Sequence, residues 1–266
     1  MAEVIGLFLS TVLLRPYVFL FLGLYLWTAS ASIGWRRTVL FTGIAWVVAF
    51  AAEYSSTRNG IPFGPYSYIP STTGRELWIS NVPLMDSLSF TFLSYVSFAL
   101  AQWLTLPIGA GEQRVVDVRR SRAVVWLGAF LFMLIDVAID PLALRGDRWF
   151  LGKIYDYPSP GLYFGVPLTN FLGWGVVGLA IIALFQKVDR LLPEDAPPAQ
   201  GVRPILLGAM LYYLILVFNL SMTFAIGEHL LGMVGLMLYG PITWLVVGRY
   251  WRLSAIRGFA SRGAMS

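Results

Sequence analysis

Residues 122–143 read RAVVWLGAFLFMLIDVAIDPLA, an apolar stretch in which Asp136 and Asp140 are the only acidic residues. A helix of about 20 apolar residues is long enough to cross the hydrocarbon core of a bilayer. The stretch therefore predicts a membrane-spanning helix that carries two carboxyl groups toward its end. Because charged side chains are costly inside a membrane, aspartates in a span point to a functional site.

Similar stretches recur along the whole chain, which has 266 residues, is 58% hydrophobic and 12% charged, and has a mean hydropathy of +0.71. These values predict an integral membrane protein. We expect an all-α, polytopic membrane helix bundle in which residues 1–266 form a single transmembrane domain. The seven predicted spans are 4–31, 37–54, 82–106, 122–143, 164–186, 203–226 and 230–250. Arg15-Pro16 interrupts the first span, which predicts either a kink or a re-entrant piece followed by a shorter span.

The basic residues predict the orientation of the bundle, because cytoplasmic loops carry the excess of Lys and Arg. Assigning alternate loops to the cytoplasm places thirteen basic residues there and five on the opposite face. The N-terminus is therefore predicted outside and the C-terminus inside the bacterial cytoplasmic membrane, and residues 192–201 form a cytoplasmic linker between the fifth and sixth spans. Since the basic residues flank the spans and form no stripe with aromatic residues, we expect membrane lipids and no nucleic acid as partners.

With this topology, polar residues from several segments fall in the outer half of the bundle. They are Glu53, Asp86, Asp136, Asp140, Asn170, Asn219 and Glu228. Asp136 and Asp140 lie one helical turn apart on one face, and a carboxyl group that keeps its proton can act as a general acid. In the alternative interpretation, Asp140 ends the helix before Pro141 and pairs with Arg145 or Arg148, while Asp136 bonds to a neighbouring helix.

Residues 53–68, EYSSTRNGIPFGPYSY, form a polar block in which Gly and Pro impose turns. The block predicts a loop over the mouth of the bundle with Phe63, Tyr66 and Tyr68 as an aromatic lid. The alternative is an interfacial aromatic belt. Glu53 is either part of the site or the partner of Arg58 in an ion pair, and Asp86 is either a site residue or a polar residue that adjusts helix depth.

Residues 161–174, GLYFGVPLTNFLGW, form a second turn-rich segment that leads into the fifth predicted span. Asn170 needs a partner there, either another helix or a bound ligand or water. The nearby Gly173, Gly175 and Gly178 predict close helix packing.

Several classes of protein are excluded by the composition. The chain has no cysteine and a single histidine, His229, so histidine-box di-iron enzymes, haem proteins, iron–sulfur proteins and thiolate zinc sites cannot be built. Lys153 and Lys187 lie at span ends, which leaves no lysine for a retinal Schiff base. Since aspartate-rich magnesium motifs are also absent, we expect no metal and no cofactor.

Three ordered blocks carry a resemblance to a known family. They are Glu53 to Tyr68, Asp136-Val-Ala-Ile-Asp140-Pro141, and Tyr163 to Trp174. Together they resemble the membrane carotenoid hydratases, relatives of which serve γ-carotene and bacterioruberin pathways. The third block differs mildly, with Phe164 and Thr169 where many relatives have Tyr and Ser.

The resemblance implies a carotenoid biosynthesis enzyme, a cofactor-independent hydro-lyase that adds water to the terminal double bond of an acyclic carotenoid and gives a tertiary alcohol. We expect Asp140 or Asp136 to donate the proton and Glu53 to orient or deprotonate the water. The expected substrate-binding residues are Arg58, Phe63, Tyr66, Tyr68, Asp86, Asn170 and Trp174. The alternatives are a non-catalytic carotenoid or isoprenoid carrier and an ion or proton transporter.

Overall fold

The computed structural model describes residues 2–107, 112–193 and 202–263. The described residues form nine α-helices. They are α1 (Ala2–Leu14), α2 (Pro16–Ile33), α3 (Trp35–Asn59), α4 (Leu84–Thr105), α5 (Glu112–Arg119), α6 (Arg122–Ala143), α7 (Leu168–Asp189), α8 (Arg203–Ala225) and α9 (His229–Gly263). The predicted linker at 192–201 lies mostly outside the described residues, which resume at Val202.

Seven of these helices are long and apolar enough to cross a membrane, which confirms the predicted all-α membrane bundle and its number of spans. They are α2, α3, α4, α6, α7, α8 and α9, the last over His229–Arg252. The first predicted span is divided at Arg15 into α1 and α2, so the interruption predicted at Arg15-Pro16 is present and the spanning helix is the shorter α2. Proline at the first position of α2 has no N–H to continue the preceding helix, and the ring of Phe8 on α1 contacts Phe19 on α2 at 5.8 Å.

Several other predicted boundaries also differ from the structure, and two of them lie close to the cluster of polar residues. Helix α3 continues past residue 54 to Asn59, where Gly60 ends it in the left-handed conformation. The predicted span at 164–186 begins only at Leu168. Residues 161–166 instead form a tight turn in which Tyr163 and Val166 exchange backbone hydrogen bonds and Gly165 has a positive φ.

Helix α4 is the central helix of the bundle, and 16 of its 22 residues are buried. It packs against α3, α6 and α8, while α6 packs closely against α7. Gly178 on α7 permits this last contact, because an added Cβ would lie 2.8 Å from Phe132 on α6. Gly173 permits the loop after α3 to reach α7, since a Cβ there would lie 2.7 Å from the Pro62 carbonyl oxygen. These contacts anchor the loop at the end of the bundle.

Four two-residue strands tie the loops together at this end. Strand β1 (Ser67–Tyr68) pairs antiparallel with β4 (Tyr155–Asp156), and β2 (Trp78–Ile79) pairs with β3 (Val82–Pro83). The β1–β4 pair joins the loop after α3 to the loop after α6. The tyrosines of both loops are thereby held over the ends of α3 and α6.

The opposite end of the bundle is organised around one buried carboxylate. Asp189, at the end of α7, accepts hydrogen bonds from the Nε atoms of Arg37, Arg119 and Arg120 at 2.6, 3.0 and 2.9 Å. We call these four residues the arginine cluster. It links α3, α5 and α7.

Candidate active site

Two aspartates of α6 share one hydrogen-bond donor from α7. Asn170 Nδ2 lies 2.8 Å from Asp136 Oδ2 and 2.6 Å from Asp140 Oδ2. All three side chains are buried, with Asp136 fully enclosed. The amide can donate one proton to each carboxyl group, so it holds both groups in place.

Two tyrosines from the loop after α6 complete the surroundings of Asp140. The Tyr157 hydroxyl donates to Asp140 Oδ2 at 3.1 Å, and the Tyr155 hydroxyl donates to the Asp140 carbonyl oxygen at 3.4 Å. Burial raises the pKa of both phenols, and the nearby Asp140 carboxyl raises it further. Both tyrosines therefore remain protonated hydrogen-bond donors.

Glu53 approaches the same region from α3. Its side chain is 1% exposed, and its Oε1 accepts a hydrogen bond of 2.8 Å from the Tyr68 hydroxyl, which in turn accepts one from Tyr66. Burial raises the pKa of Tyr68, and the carboxyl groups of Asp86 and Glu53 add to this effect. The tyrosines of the 53–68 block thus point to the site and hold Glu53.

Two cavities meet between these residues. The smaller, of about 40 Å³, is polar; we call it the acidic chamber, and it is lined by Glu53, Phe63, Tyr66, Tyr68, Asp86, Phe90, Asp140, Tyr155, Tyr157, Asn170 and Trp174. The larger, of about 100 Å³, is the apolar cavity, which lies among α2, α4, α6, α8 and the loop that contains Trp149 and Leu151. Asp86, Asp140, Tyr155 and Trp174 line both cavities. A molecule that fills the apolar cavity would therefore face two carboxyl groups at its polar end.

Aromatic rings cover one wall of the acidic chamber. Trp174 on α7 stacks on Phe90 of α4 with ring centroids 4.2 Å apart, and it also contacts Phe63 and Phe132 at 6.2 and 4.7 Å. The electron-rich faces of such rings attract cations. This wall is therefore suited to a positively charged group or intermediate.

The carboxyl groups of the site are not neutralised by arginine or lysine. Among the salt bridges of the described residues, none includes Glu53, Asp86, Asp136 or Asp140. In addition, Glu53 Oε2 and Asp136 Oδ1 are buried without a hydrogen-bond partner. Buried polar atoms without partners are costly in a purely structural role, so these atoms mark a place for protons or water.

The structure does not contain the ion pairs of the alternative interpretations. Arg145 and Arg148 pair with Glu228 and not with Asp140. Arg58 donates to Asn81 and to the Tyr54 carbonyl oxygen and lies over the Tyr54 ring, away from Glu53. Arg58 is therefore the one expected substrate-binding residue that lies outside both cavities.

The other predicted polar residues take different places. Asn219 lines the apolar cavity and donates to the Ile215 carbonyl oxygen of its own helix, while Glu228 is occupied by its two arginines. Among the described residues, no group of three or more His, Asp or Glu side chains is arranged to hold a metal ion. The prediction missed Tyr155 and Tyr157, although the spacing Tyr155-Asp-Tyr157 repeats that of Tyr66-Ser-Tyr68.

Comparison with known proteins assigns the family. The sequence profile described as "Carotenoid biosynthesis protein" matches residues 7–242. The chain belongs to this family. The match includes every helix and loop that lines the two cavities, and it confirms the resemblance that the three sequence blocks indicated.

One relative with an assigned name matches part of the chain at low identity. The chain is 26% identical over 150 residues to the bisanhydrobacterioruberin hydratase of Haloarcula japonica, over 56% of this chain and 45% of that relative. The chain thus spans less than half the length of this relative. No solved structure matches the chain. The protein is accordingly a membrane protein of carotenoid biosynthesis, with a distant relative named as a hydratase.

Proposed function

We propose that this protein adds water to the terminal carbon–carbon double bond of an acyclic carotenoid and forms a tertiary alcohol. The observation that carries the proposal is the shared wall between the two cavities, where Asp140 and Asp86 face both the apolar cavity and the acidic chamber. The apolar cavity suits a hydrocarbon end group. The acidic chamber, at about 40 Å³, has room for one or a few water molecules, since one water needs roughly 10–15 Å³.

Asp140 is the proposed proton donor. Unlike Asp136, it lines both cavities and can reach a double bond that enters from the apolar side. Without a cationic partner, burial disfavours the ionised form of this carboxyl group. Asp136 lines neither cavity and is assigned a positioning role, because it shares the Asn170 amide with Asp140.

The reaction balances without an oxidant or reductant. The carboxyl proton of Asp140 forms a C–H bond at the less substituted alkene carbon, and the π electrons leave a tertiary carbocation at the other carbon. The faces of Trp174 and Phe90 stabilise this cation. Water then forms the C–O bond and passes a proton to Glu53 as Glu53 passes a proton through the chamber to the Asp140 carboxylate that the first step left. Both carboxyl groups thereby end as they began.

Hydration is tested by coexpression in cells that accumulate lycopene or γ-carotene, followed by chromatography and mass spectrometry of the pigments. We expect a product heavier by one water, and no such product with Asp140→Asn. Asp156→Asn is the matched control, because Asp156 is an exposed aspartate on β4, in the loop after α6, and its carboxylate pairs with Lys153. Retained pigment binding without product in the wild type would instead indicate a carrier.

A further inference from the structure

A second apolar groove lies far from the acidic chamber. It is formed by α4, α6 and α9 near the end of the bundle that carries the arginine cluster, and its volume is about 530 Å³. Its apolar walls include Leu104, Leu127, Phe130 and Leu245. Gly248 adds open space, because a Cβ placed on it would meet no atom within 4 Å. The groove is therefore large and apolar enough to hold part of a hydrocarbon chain.

Two arginines close one end of this groove. Arg249 and Arg252 are three residues apart on α9, which places them on the same face of the helix. Arg249 lies over the Trp103 ring at 5.4 Å and donates to the Leu106 carbonyl oxygen at the end of α4, but its Nε is buried without a partner. Among the described residues, neither arginine forms a salt bridge.

We propose that this groove binds an anionic phospholipid, with one acyl chain along the apolar walls and the phosphate held by Arg249 and Arg252. Guanidinium groups bind phosphate oxygens through charge-assisted, often paired, hydrogen bonds. A net negative headgroup complements the two unneutralised arginines, whereas a zwitterionic headgroup brings its own cation. The exposed Trp244 ring beside the groove fits the interfacial depth that tryptophan favours.

The site is tested by native mass spectrometry of the purified full-length protein with phosphatidylglycerol or phosphatidylcholine of identical acyl chains. The wild type should retain phosphatidylglycerol preferentially. Arg249→Gln and Arg252→Gln should each lower that retention about five-fold, the effect of one arginine near an anionic headgroup. Arg203→Gln, at an exposed position on α8 near the same end of the bundle, should leave retention unchanged.

The groove itself is tested by filling it. Gly248→Leu should lower retention of both phospholipids, because the new side chain occupies the space of the acyl chain. Gly240→Leu is the matched control, since this glycine of α9 also has open space around its Cβ position but does not line the groove. Arg249→Gln also removes the contact with the Leu106 carbonyl oxygen, which could prevent folding. In that case Arg252→Gln and Gly248→Leu, which keep this contact, still test the proposal.

Equal retention of the two phospholipids would overturn the proposal, and so would unchanged retention in both Arg252→Gln and Gly248→Leu. The proposal would also be wrong if a copurified polyene or a second copy of the chain occupied the groove. A further arm uses inorganic phosphate alone. If phosphate competes with phosphatidylglycerol equally well in the wild type and Gly248→Leu, the arginines bind phosphate without an acyl chain and the phospholipid assignment is wrong.

Discussion

Asp140 and Asp189 are both buried aspartates near the ends of spanning helices, yet their partners differ completely. Asp189 accepts hydrogen bonds from three guanidinium groups at 2.6 to 3.0 Å. The Asp140 carboxyl group accepts hydrogen bonds from neutral groups, the Tyr157 hydroxyl and the Asn170 amide. The carboxylate at one end is fully neutralised, whereas the carboxyl at the other has no cation and faces two cavities.

This difference separates a structural carboxylate from a reactive one. Removing one partner of a buried ion pair leaves uncompensated charge and destabilises the fold. Removing the charge from a group that has no counter-ion carries little such cost. The contrast therefore predicts that equivalent substitutions have opposite consequences at the two ends of the bundle.

The largest effect on turnover is expected for Asp140→Asn. Loss of a general acid typically lowers the rate by 10²- to 10⁴-fold, so we expect a loss of about 10³-fold with little change in melting temperature. Product formation is measured by chromatography of the pigments, and melting by a thermal scan of the purified protein in detergent. Substantial turnover in a folded Asp140→Asn variant would remove this residue from the proposed role.

Asp189→Asn should show the reverse pattern. We expect destabilisation of about 3 kcal/mol, because Arg37, Arg119 and Arg120 would lose their shared carboxylate. Turnover per folded molecule should remain close to that of the wild type. Melting temperature and turnover are measured by the same thermal scan and pigment assay. An unchanged melting temperature would show that the arginine cluster does not stabilise the fold.

A smaller loss of turnover is expected for Glu53→Gln. The amide can still accept the Tyr68 hydrogen bond but cannot take a proton from water, so we expect a loss of about 10²-fold with retained folding. Tyr68→Phe, which removes only that hydrogen bond, should cost less. Equal losses in the two variants would indicate that Glu53 acts by positioning alone.

Tyr157→Phe should lower turnover by about five- to ten-fold, the value of one hydrogen bond of about 1 to 1.5 kcal/mol to Asp140. Tyr163→Phe is the matched control, because the Tyr163 hydroxyl is buried without a partner. Since the pKa of Tyr157 is raised, its phenol stays protonated, and the pH–rate profile should not fall through loss of this proton below about pH 10. A Tyr157→Phe variant that loses an alkaline limb of the profile would contradict this assignment.

The smallest effect is expected for Arg58→Gln. Arg58 contacts Tyr54 and Asn81 on the outside of the site, so turnover should change by no more than about two-fold. Determination of the apparent KM with the same carotenoid checks this. A large rise in KM would mean that Arg58 contacts the substrate in a conformation different from this structure.

The fold was largely predictable, because apolar stretches long enough to span a membrane are recognised from the hydropathy of the sequence. Local details differed in how far the sequence predicted them. The interruption at Arg15-Pro16 was predicted from the proline, whereas the late start of α7 depends on the tight turn at residues 161–166, which hydropathy does not reveal. The order of the predicted spans implies that successive helices run in alternating directions. These directions bring four polar residues to one chamber, Glu53, Asp86, Asp140 and Asn170.

Long-range pairs could not be read from the sequence. Arg37, Arg119 and Arg120 counted only as signals of orientation, yet they bind Asp189 across about 70 to 150 positions of the chain, which spacing rules within a single helix cannot reveal. Tyr155 and Tyr157 were missed for a related reason. Only the pairing of β1 with β4 brings their loop to the site.

The central claim, that the acidic chamber adds water to a double bond by protonation, is tested most directly with purified protein in isotopically labelled water. Turnover of an acyclic carotenoid in H₂¹⁸O and D₂O under air should give a tertiary alcohol with one ¹⁸O on the alcohol carbon. One deuterium should appear on the neighbouring carbon, and Asp140→Asn should give no labelled product. Oxygen that derives from dioxygen, or an alcohol without carbon-bound deuterium, would contradict the account.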